Sequence, residues 1–309
     1  MSGADEPGAD KTGAEAGPGP LSWEVICAEA VDRLAARGFA AAPREVDWIL
    51  EVVAGIAPGD RSGRAELATS RRLARFDAMV ERRLGGEPLQ YVLGSWSFRQ
   101  LDLMVDRRVL IPRPETEVVA GLALAEIDRV VQAVGADRDR RVPVVDLGTG
   151  SGAIGLALAY ERPTVDVWLT DNSAESLAVA RANLAGIGRP AVRVQVAEGD
   201  WFDALPDELA GAVGVVVSNP PYVAAGEDLP AEVRDWEPPA ALVSGPSGME
   251  CFEAIVGPAR RWLRPGGALV VEHAPHQAEA LAQLARRAGF SDVGVHPDLS
   301  GRPRALVAR

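Results

Sequence analysis

Two cysteines, Cys27 and Cys251, are all that this chain of 309 residues contains. They are too few and too far apart in sequence for a disulfide framework or a cysteine-ligated zinc. Histidine is scarce as well: His273 and His276 form a close pair, yet no cysteine or third histidine stands near them, so no metal is expected. No apolar run approaches the ~20 residues of a membrane span, and the amino terminus lacks a basic stretch leading into an apolar core. Positive charge is in deficit, 32 Lys and Arg against 44 Asp and Glu, for a net charge of −12. Such a balance opposes a grip on nucleic-acid phosphates. The lysine-bearing phosphate loop of nucleotide triphosphatases is also missing, which disfavours ATP. What these absences leave is a cytoplasmic enzyme or binding protein that does not contact membrane or nucleic acid directly.

What is present suffices for a full core: 47% of the residues are hydrophobic and 25% charged, enough for two domains and a tail. Residues 1–20 are rich in Gly, Ala, Pro and acids without hydrophobic period, and read as a disordered acidic tail. From residue 21 to 88 the pattern is helical. Trp23, Ile26, Ala30, Val31 and Leu34 share one face, Pro43 opens a second helix through Val46, Ile49, Leu50 and Val53, and a third is expected from Arg64 to Leu84. Residues 89–111 alternate as a hairpin, with Trp96–Phe98 and Leu101–Val105 as strands. Residues 112–309 alternate strands and helices, which predicts a mostly parallel sheet with right-handed crossovers. No internal repeat is seen.

Two motifs carry the chemistry. The apolar run Val142–Leu147 opens directly into Gly148-Thr149-Gly150-Ser151-Gly152 and a further apolar stretch: strand, glycine turn, helix. Glycines there let a ligand approach the backbone and the helix N-terminus. The next strand ends in Asp171, about 20 residues on, where an acid can bind ribose hydroxyls. An adenosine-containing cofactor follows, either S-adenosylmethionine or a dinucleotide, since Gly150, Gly152 and Gly155 also satisfy the dinucleotide spacing. Asp146, just ahead of the glycines, suits a cationic ligand better than a pyrophosphate.

The second motif, Asn219-Pro220-Pro221-Tyr222, follows the buried-strand pattern Val213–Ser218. The prolines stiffen the exit and donate no hydrogen bond, leaving the Asn219 side-chain carbonyl and the Pro220 main-chain carbonyl to accept both hydrogens of a planar amino group. Tyr222 is placed to pack on that group's face. Asn-Pro and Pro-Pro are also common loop punctuation.

Together these residues resemble the class I S-adenosylmethionine-dependent methyltransferases that act on planar nitrogen. Ile111–Glu117, Asp200-Trp201-Phe202 and Glu237–Leu242 narrow the resemblance to the release factor glutamine methyltransferases, from about Trp23 to the C-terminus. The resemblance implies a seven-stranded Rossmann-like domain preceded by a small helical domain and a β-hairpin linker. It implies methylation of the glutamine in the Gly-Gly-Gln loop of peptide chain release factors, the helical domain helping to recognise them. Carried over, it makes Gly148, Thr149, Gly150, Ser151 and Gly152 the methionine-side loop, puts Asp171 on the ribose and Trp201 against the adenine. Asn219, Pro220, Pro221 and Tyr222 become the glutamine site, Asn219 also near the cofactor, with Arg113 and Glu115 at its border. The family commonly has glycine after the residue pair ending the fifth strand, where this chain has Glu272-His273-Ala274.

Adenine-N6 DNA methyltransferases use the same Asn-Pro-Pro-Tyr turn, but the acidic balance and the absence of base-flipping elements oppose that reading. The glycine turn would also serve a non-catalytic cofactor-binding module or a dinucleotide oxidoreductase. An oxidoreductase leaves Asn-Pro-Pro-Tyr unexplained.

Overall fold

The computed structural model describes residues 21–135 and 141–309, so the expected acidic tail lies outside the described residues. The chain divides into two compact units, one ending at Gly86 and one running from Glu87 to Arg309.

In the first unit, α1 (Trp23–Ala36) and α2 (Ala42–Ala54) bury the apolar stripe that their periodicity sets out, with Trp23, Ile26, Leu34, Val46, Ile49 and Leu50 inside. The single third helix expected from Arg64 is instead two, α3 (Arg61–Ala65) and α4 (Ser70–Leu84). The intervening backbone is extended: Leu67 bridges Ser22, and Thr69 accepts the Arg72 N–H as a cap of α4. Arg83 of α4 forks onto Glu45 of α2 at 2.7 and 3.1 Å, both residues buried.

The second unit opens with a short helix, α5 (Leu89–Leu93), where the hairpin was expected to begin. The hairpin itself is β1 (Ser95–Phe98) against β2 (Leu101–Met104), antiparallel. There follow α6 (Pro114–Val134), β3 (Val142–Leu147), α7 (Ala153–Glu161), β4 (Val165–Asp171), α8 (Ala174–Gly186), β5 (Val194–Glu198) and β6 (Val213–Ser218). After them come β7 (Val223–Ala224), α9 (Ala231–Arg234), β8 (Val243–Gly245), α10 (Glu250–Trp262), β9 (Leu263–Glu272), α11 (Ala278–Arg287), β10 (Val293–Pro297) and β11 (Pro303–Ala308).

Seven strands form the main sheet in the order β10-β11-β9-β6-β3-β4-β5. β11 runs antiparallel to both neighbours, and the other pairings are parallel. The expected seven-stranded Rossmann-like domain is therefore present. Its edge strand β5 has no continuous apolar run, because only Val194 of its five residues is buried.

Side chains alternate across the central strands. Val144, Val215, Val217 and Val270 pack with Val119, Ile127 and Leu156 from α6 and α7, whereas Val145, Val216 and Leu269 pack with Phe252, Ile255 and Leu281 from α10 and α11. Each such burial stabilises by roughly 1.5–3 kcal/mol. Asn183 of α8 ties the hairpin to the sheet: it accepts the Met104 N–H at 2.7 Å and donates to the carbonyls of Met104 at 3.1 Å and Ser151 at 2.8 Å. Chain leaving β3 proceeds to β4 on one side, and chain leaving β6 proceeds to β9 on the other. The strand order thus reverses between β3 and β6, the place where open α/β sheets receive ligands.

Candidate active site

A cavity of about 540 Å3 opens at the carboxyl ends of β3, β4, β5 and β6. Its walls come from the glycine turn, the end of β4 with the start of α8, Gly199–Trp201 after β5, the Asn219–Pro221 turn after β6, the loop Pro238–Val243, Cys251 of α10, and Arg107, Arg108 and Leu110 after β2. Pro112 and Thr116 close it from the start of α6.

The glycine turn is held from beneath by Asp146, the fifth residue of β3. Its Oδ2 accepts the Thr149 hydroxyl at 2.6 Å and the Gly155 N–H at 2.9 Å. Gly155 must lack a side chain, since a Cβ there would stand 2.1 Å from Leu169 Cδ2. Asp171 at the end of β4 braces the same turn from the side, accepting the Gly150 N–H and the Ser173 N–H, both at 2.9 Å. Trp201 takes the left-handed conformation, φ +46°, uncommon for so bulky a side chain. Its ring lies over the turn, about where a Cβ on Gly148 would come within 3.5 Å of it.

Electrostatically the floor is acidic. Asp146 is 1% exposed, and burial pushes its carboxyl up to about 7 against the opposing hydrogen bonds from Thr149 and Gly155, with Asp171 nearby raising it further. Burial also raises Asp171 above the usual carboxylate range. A ligand carrying positive charge would favour both ionised forms, whereas a pyrophosphate would oppose them. The donor and acceptor set therefore fits S-adenosylmethionine, with a sulfonium and an α-ammonium group, better than a dinucleotide.

The structure brings most of the sequence-derived residues together. Gly148, Thr149, Gly150, Ser151, Asp171, Trp201, Asn219 and Pro221 all line the cavity. Gly152, Pro220 and Tyr222 do not. Gly152 caps the N-terminus of α7 with φ +86°, its carbonyl accepting the Leu156 N–H at 2.9 Å. Pro220 is buried, and the Tyr222 ring packs against the core beneath α10 and α11 while its carbonyl accepts Gln277 Nε2 at 2.8 Å. Arg113 and Glu115 also stand outside the lining: Arg113 pairs with buried Glu237, and Glu115 approaches Arg302 at 3.5 Å. Besides Pro112, this segment contributes Thr116, between Glu115 and Glu117, which sequence reasoning passed over. Its hydroxyl donates to Glu272 Oε2 at 2.7 Å and accepts from Asn219 Nδ2 at 3.3 Å. No local pattern signals this contact, because the three residues are spread over more than 150 positions of sequence. His273 is buried with Nδ1 2.8 Å from the Ala274 carbonyl. Among the described residues no group of three or more His, Cys, Asp or Glu is placed to hold a metal ion.

The strand order, the glycine turn at its reversal point and the acidic floor define a Rossmann-like methyltransferase domain. The family profile described as methyltransferase small domain matches residues 130–234, and the one described as PrmC N-terminal domain matches residues 26–94. Among curated relatives, release factor glutamine methyltransferase of Xylella fastidiosa is 42% identical over 76% of this chain and 80% of its own length. That of Cereibacter sphaeroides is 38% identical over 91% and 95%. The chain belongs to the release factor glutamine methyltransferase family. A solved methyltransferase from Pyrococcus furiosus aligns over 78% of this chain and 98% of its own at a TM-score of 0.47 and 16% identity, too distant to bear on the site.

Proposed function

We propose that this chain transfers the methyl group of S-adenosylmethionine to the side-chain amide nitrogen of the glutamine in the Gly-Gly-Gln motif of peptide chain release factors. The observation that carries the reading is the Asn219 carboxamide, set on the wall of the cofactor cavity at the exit of β6 and steadied through its nitrogen by Thr116. The relatives that support the substrate are release factor glutamine methyltransferases by name.

S-adenosylmethionine, when bound, supplies an electrophilic sulfonium methyl. The remaining work belongs to the chain. A glutamine amide nitrogen is a weak nucleophile because its lone pair is delocalised into the carbonyl, so orientation is the main task. Asn219 Oδ1 accepts an amide hydrogen and aims the nitrogen at the methyl, while Pro220, buried outside the cavity lining, stiffens the turn that carries it. That acceptor binds more strongly as the nitrogen gains positive charge, which favours the transition state over the ground state. Near-attack positioning of this kind contributes up to ~7–11 kcal/mol in well-oriented systems. Pro221 walls the cavity, and Tyr222, anchored in the core, holds the turn in place. Gly148 to Ser151 receive the methionine end, Asp171 the ribose and Trp201 the adenine. After transfer the nitrogen releases its extra proton to water.

Among the described residues no helix is long and apolar enough to cross a membrane, and the cytoplasm, where release factors act, is the proposed compartment. The test is methyl transfer from labelled S-adenosylmethionine to a purified bacterial release factor, beside its Gln→Ala version and duplex DNA. Label on the intact release factor alone is the expected result. Label on DNA, or on neither substrate while the cofactor still binds, would refute the reading. Asn219→Ala is expected to abolish turnover with cofactor affinity kept within about a few-fold, as one removed transition-state contact implies.

A further inference from the structure

A primary carboxamide presents an acceptor on one side and a donor on the other, in nearly the same shape. The role of Asn219 proposed above requires the acceptor to face the substrate, since a flipped amide would set two N–H groups against the N–H groups of the glutamine. Something must decide which way it points, and the neighbouring atoms show what does.

Asn219 Nδ2 lies 3.3 Å from the Thr116 hydroxyl, and that hydroxyl lies 2.7 Å from Glu272 Oε2. A hydroxyl has one proton to give. An ionised carboxylate has none, so the Thr116 proton must go to Glu272, leaving only lone pairs toward Asn219. The side of Asn219 that meets Thr116 is then the NH2, and Oδ1 is left for the substrate. Thr116 is 3% exposed and Glu272 1% exposed, so bulk water does not compete for either partner. The three residues come from separate elements: Thr116 from the first turn of α6, Asn219 from the exit of β6, Glu272 from the end of β9.

We propose that Thr116 and Glu272 are positioning residues for methyl transfer, which fix the rotamer of the Asn219 carboxamide by a one-directional chain of hydrogen bonds ending on the Glu272 carboxylate. This inference rests on the reading of Asn219 as the residue that holds the substrate amide.

The direction of the chain depends on the charge of Glu272. Arg304 on β11, Arg113 and Glu115 at the start of α6, and Tyr222 beyond β6 face that carboxylate, the two arginines favouring its ionised form and Glu115 opposing it. Burial outweighs them and pushes the carboxyl up to about 7. Once protonated, Glu272 can donate to Thr116, Thr116 can turn its own proton toward Asn219, and the flipped amide becomes as acceptable as the productive one. Turnover should therefore fall as the pH drops through the neutral range, with no matching change in cofactor affinity from this group.

Four variants test the proposal at saturating S-adenosylmethionine, with kcat, KM for the release factor and cofactor Kd measured from pH 5.5 to 8.5. Thr116→Val, which keeps the shape and removes the hydroxyl, is expected to lower kcat by about 10- to 100-fold, in keeping with what misplacement of a reacting group costs. Its cofactor Kd should stay within about a few-fold, which also shows that it folds. Thr116→Ser should restore most of kcat. Glu272→Gln should lose the fall in kcat below neutral pH that the unmodified protein shows. Thr116→Val with near-normal kcat, Thr116→Ser as impaired as Thr116→Val, or an acidic limb that persists in Glu272→Gln would each overturn the proposal. Asn219→Ala separates the two levels. If it is inert while Thr116→Val is unimpaired, only the positioning chain is wrong, and if it turns over normally, the reading of Asn219 falls and the chain with it.

Discussion

Asp146 should make S-adenosylmethionine binding depend on pH in a way that one substitution removes. Its carboxylate is buried beneath the glycine turn and titrates at about 7 without a cation beside it. A bound sulfonium and ammonium favour the ionised form, so the affinity they gain from Asp146 is full above that pH and lost below it. With the carboxyl returned to its ordinary range in the complex, the fraction ready to bind falls from about nine-tenths at pH 8 to about one-tenth at pH 6. Kd therefore rises about tenfold, equivalent to ~1.4 kcal/mol. Asp146→Asn keeps an oxygen for the Thr149 hydroxyl and the Gly155 N–H and has nothing to titrate, so its affinity should be weaker at pH 8 and match the parent more closely at pH 6. The ligand's own amino group titrates near ~7.7–8.0, but equally for both proteins, so the ratio of the two dissociation constants isolates Asp146. Calorimetric titration at pH 6, 7 and 8 measures that ratio. A ratio constant across the range would refute the electrostatic account of the pocket.

Asp171→Ala removes the acceptor for two backbone N–H groups and the proposed ribose contact, and should weaken cofactor binding by about tenfold or more; an unchanged Kd would count against the role. Gly155→Ala forces a methyl to within 2.1 Å of Leu169 and 3.1 Å of Asp146, which should cost roughly 1–3 kcal/mol as overpacking and appear as a lower denaturant midpoint. Glu272→Gln should instead raise the melting temperature at pH 8. The folded protein holds the Glu272 proton up to about 7, against 4.5 ordinarily, so its ionisation costs stability progressively from about pH 4.5 to 7 and fully above, by ~3 kcal/mol at most. The gain should shrink to roughly a quarter near pH 5, and a gain equal at both pH values would show that the carboxylate charge is not the cause.

Much of this protein could be read from its residues in order. The strand, glycine turn and helix around Gly148–Gly155, and the acid ending the next strand, are local: backbone freedom, apolar runs and short spacings carry the signal. Asn219-Pro220-Pro221 is legible for the same reason, since proline sterics act on adjacent residues. Where reading failed, a distant partner intervened. The helix expected from Arg64 breaks because Leu67 bridges Ser22, outside any local window. β5 is not marked by a local apolar pattern, because an edge strand need not be apolar throughout. In the border segment, Arg113 and Glu115 drew attention as charges, yet Thr116 reached the cavity, because the side of α6 that faces inward is set by packing against the sheet. The residues themselves determined the class of fold, the glycine turn and the asparagine proposed to hold the amide. Tertiary structure alone decided which way that asparagine points and what charge lies behind it, because hydrogen-bond direction and burial arise only when α6, β6 and β9 are brought to one place.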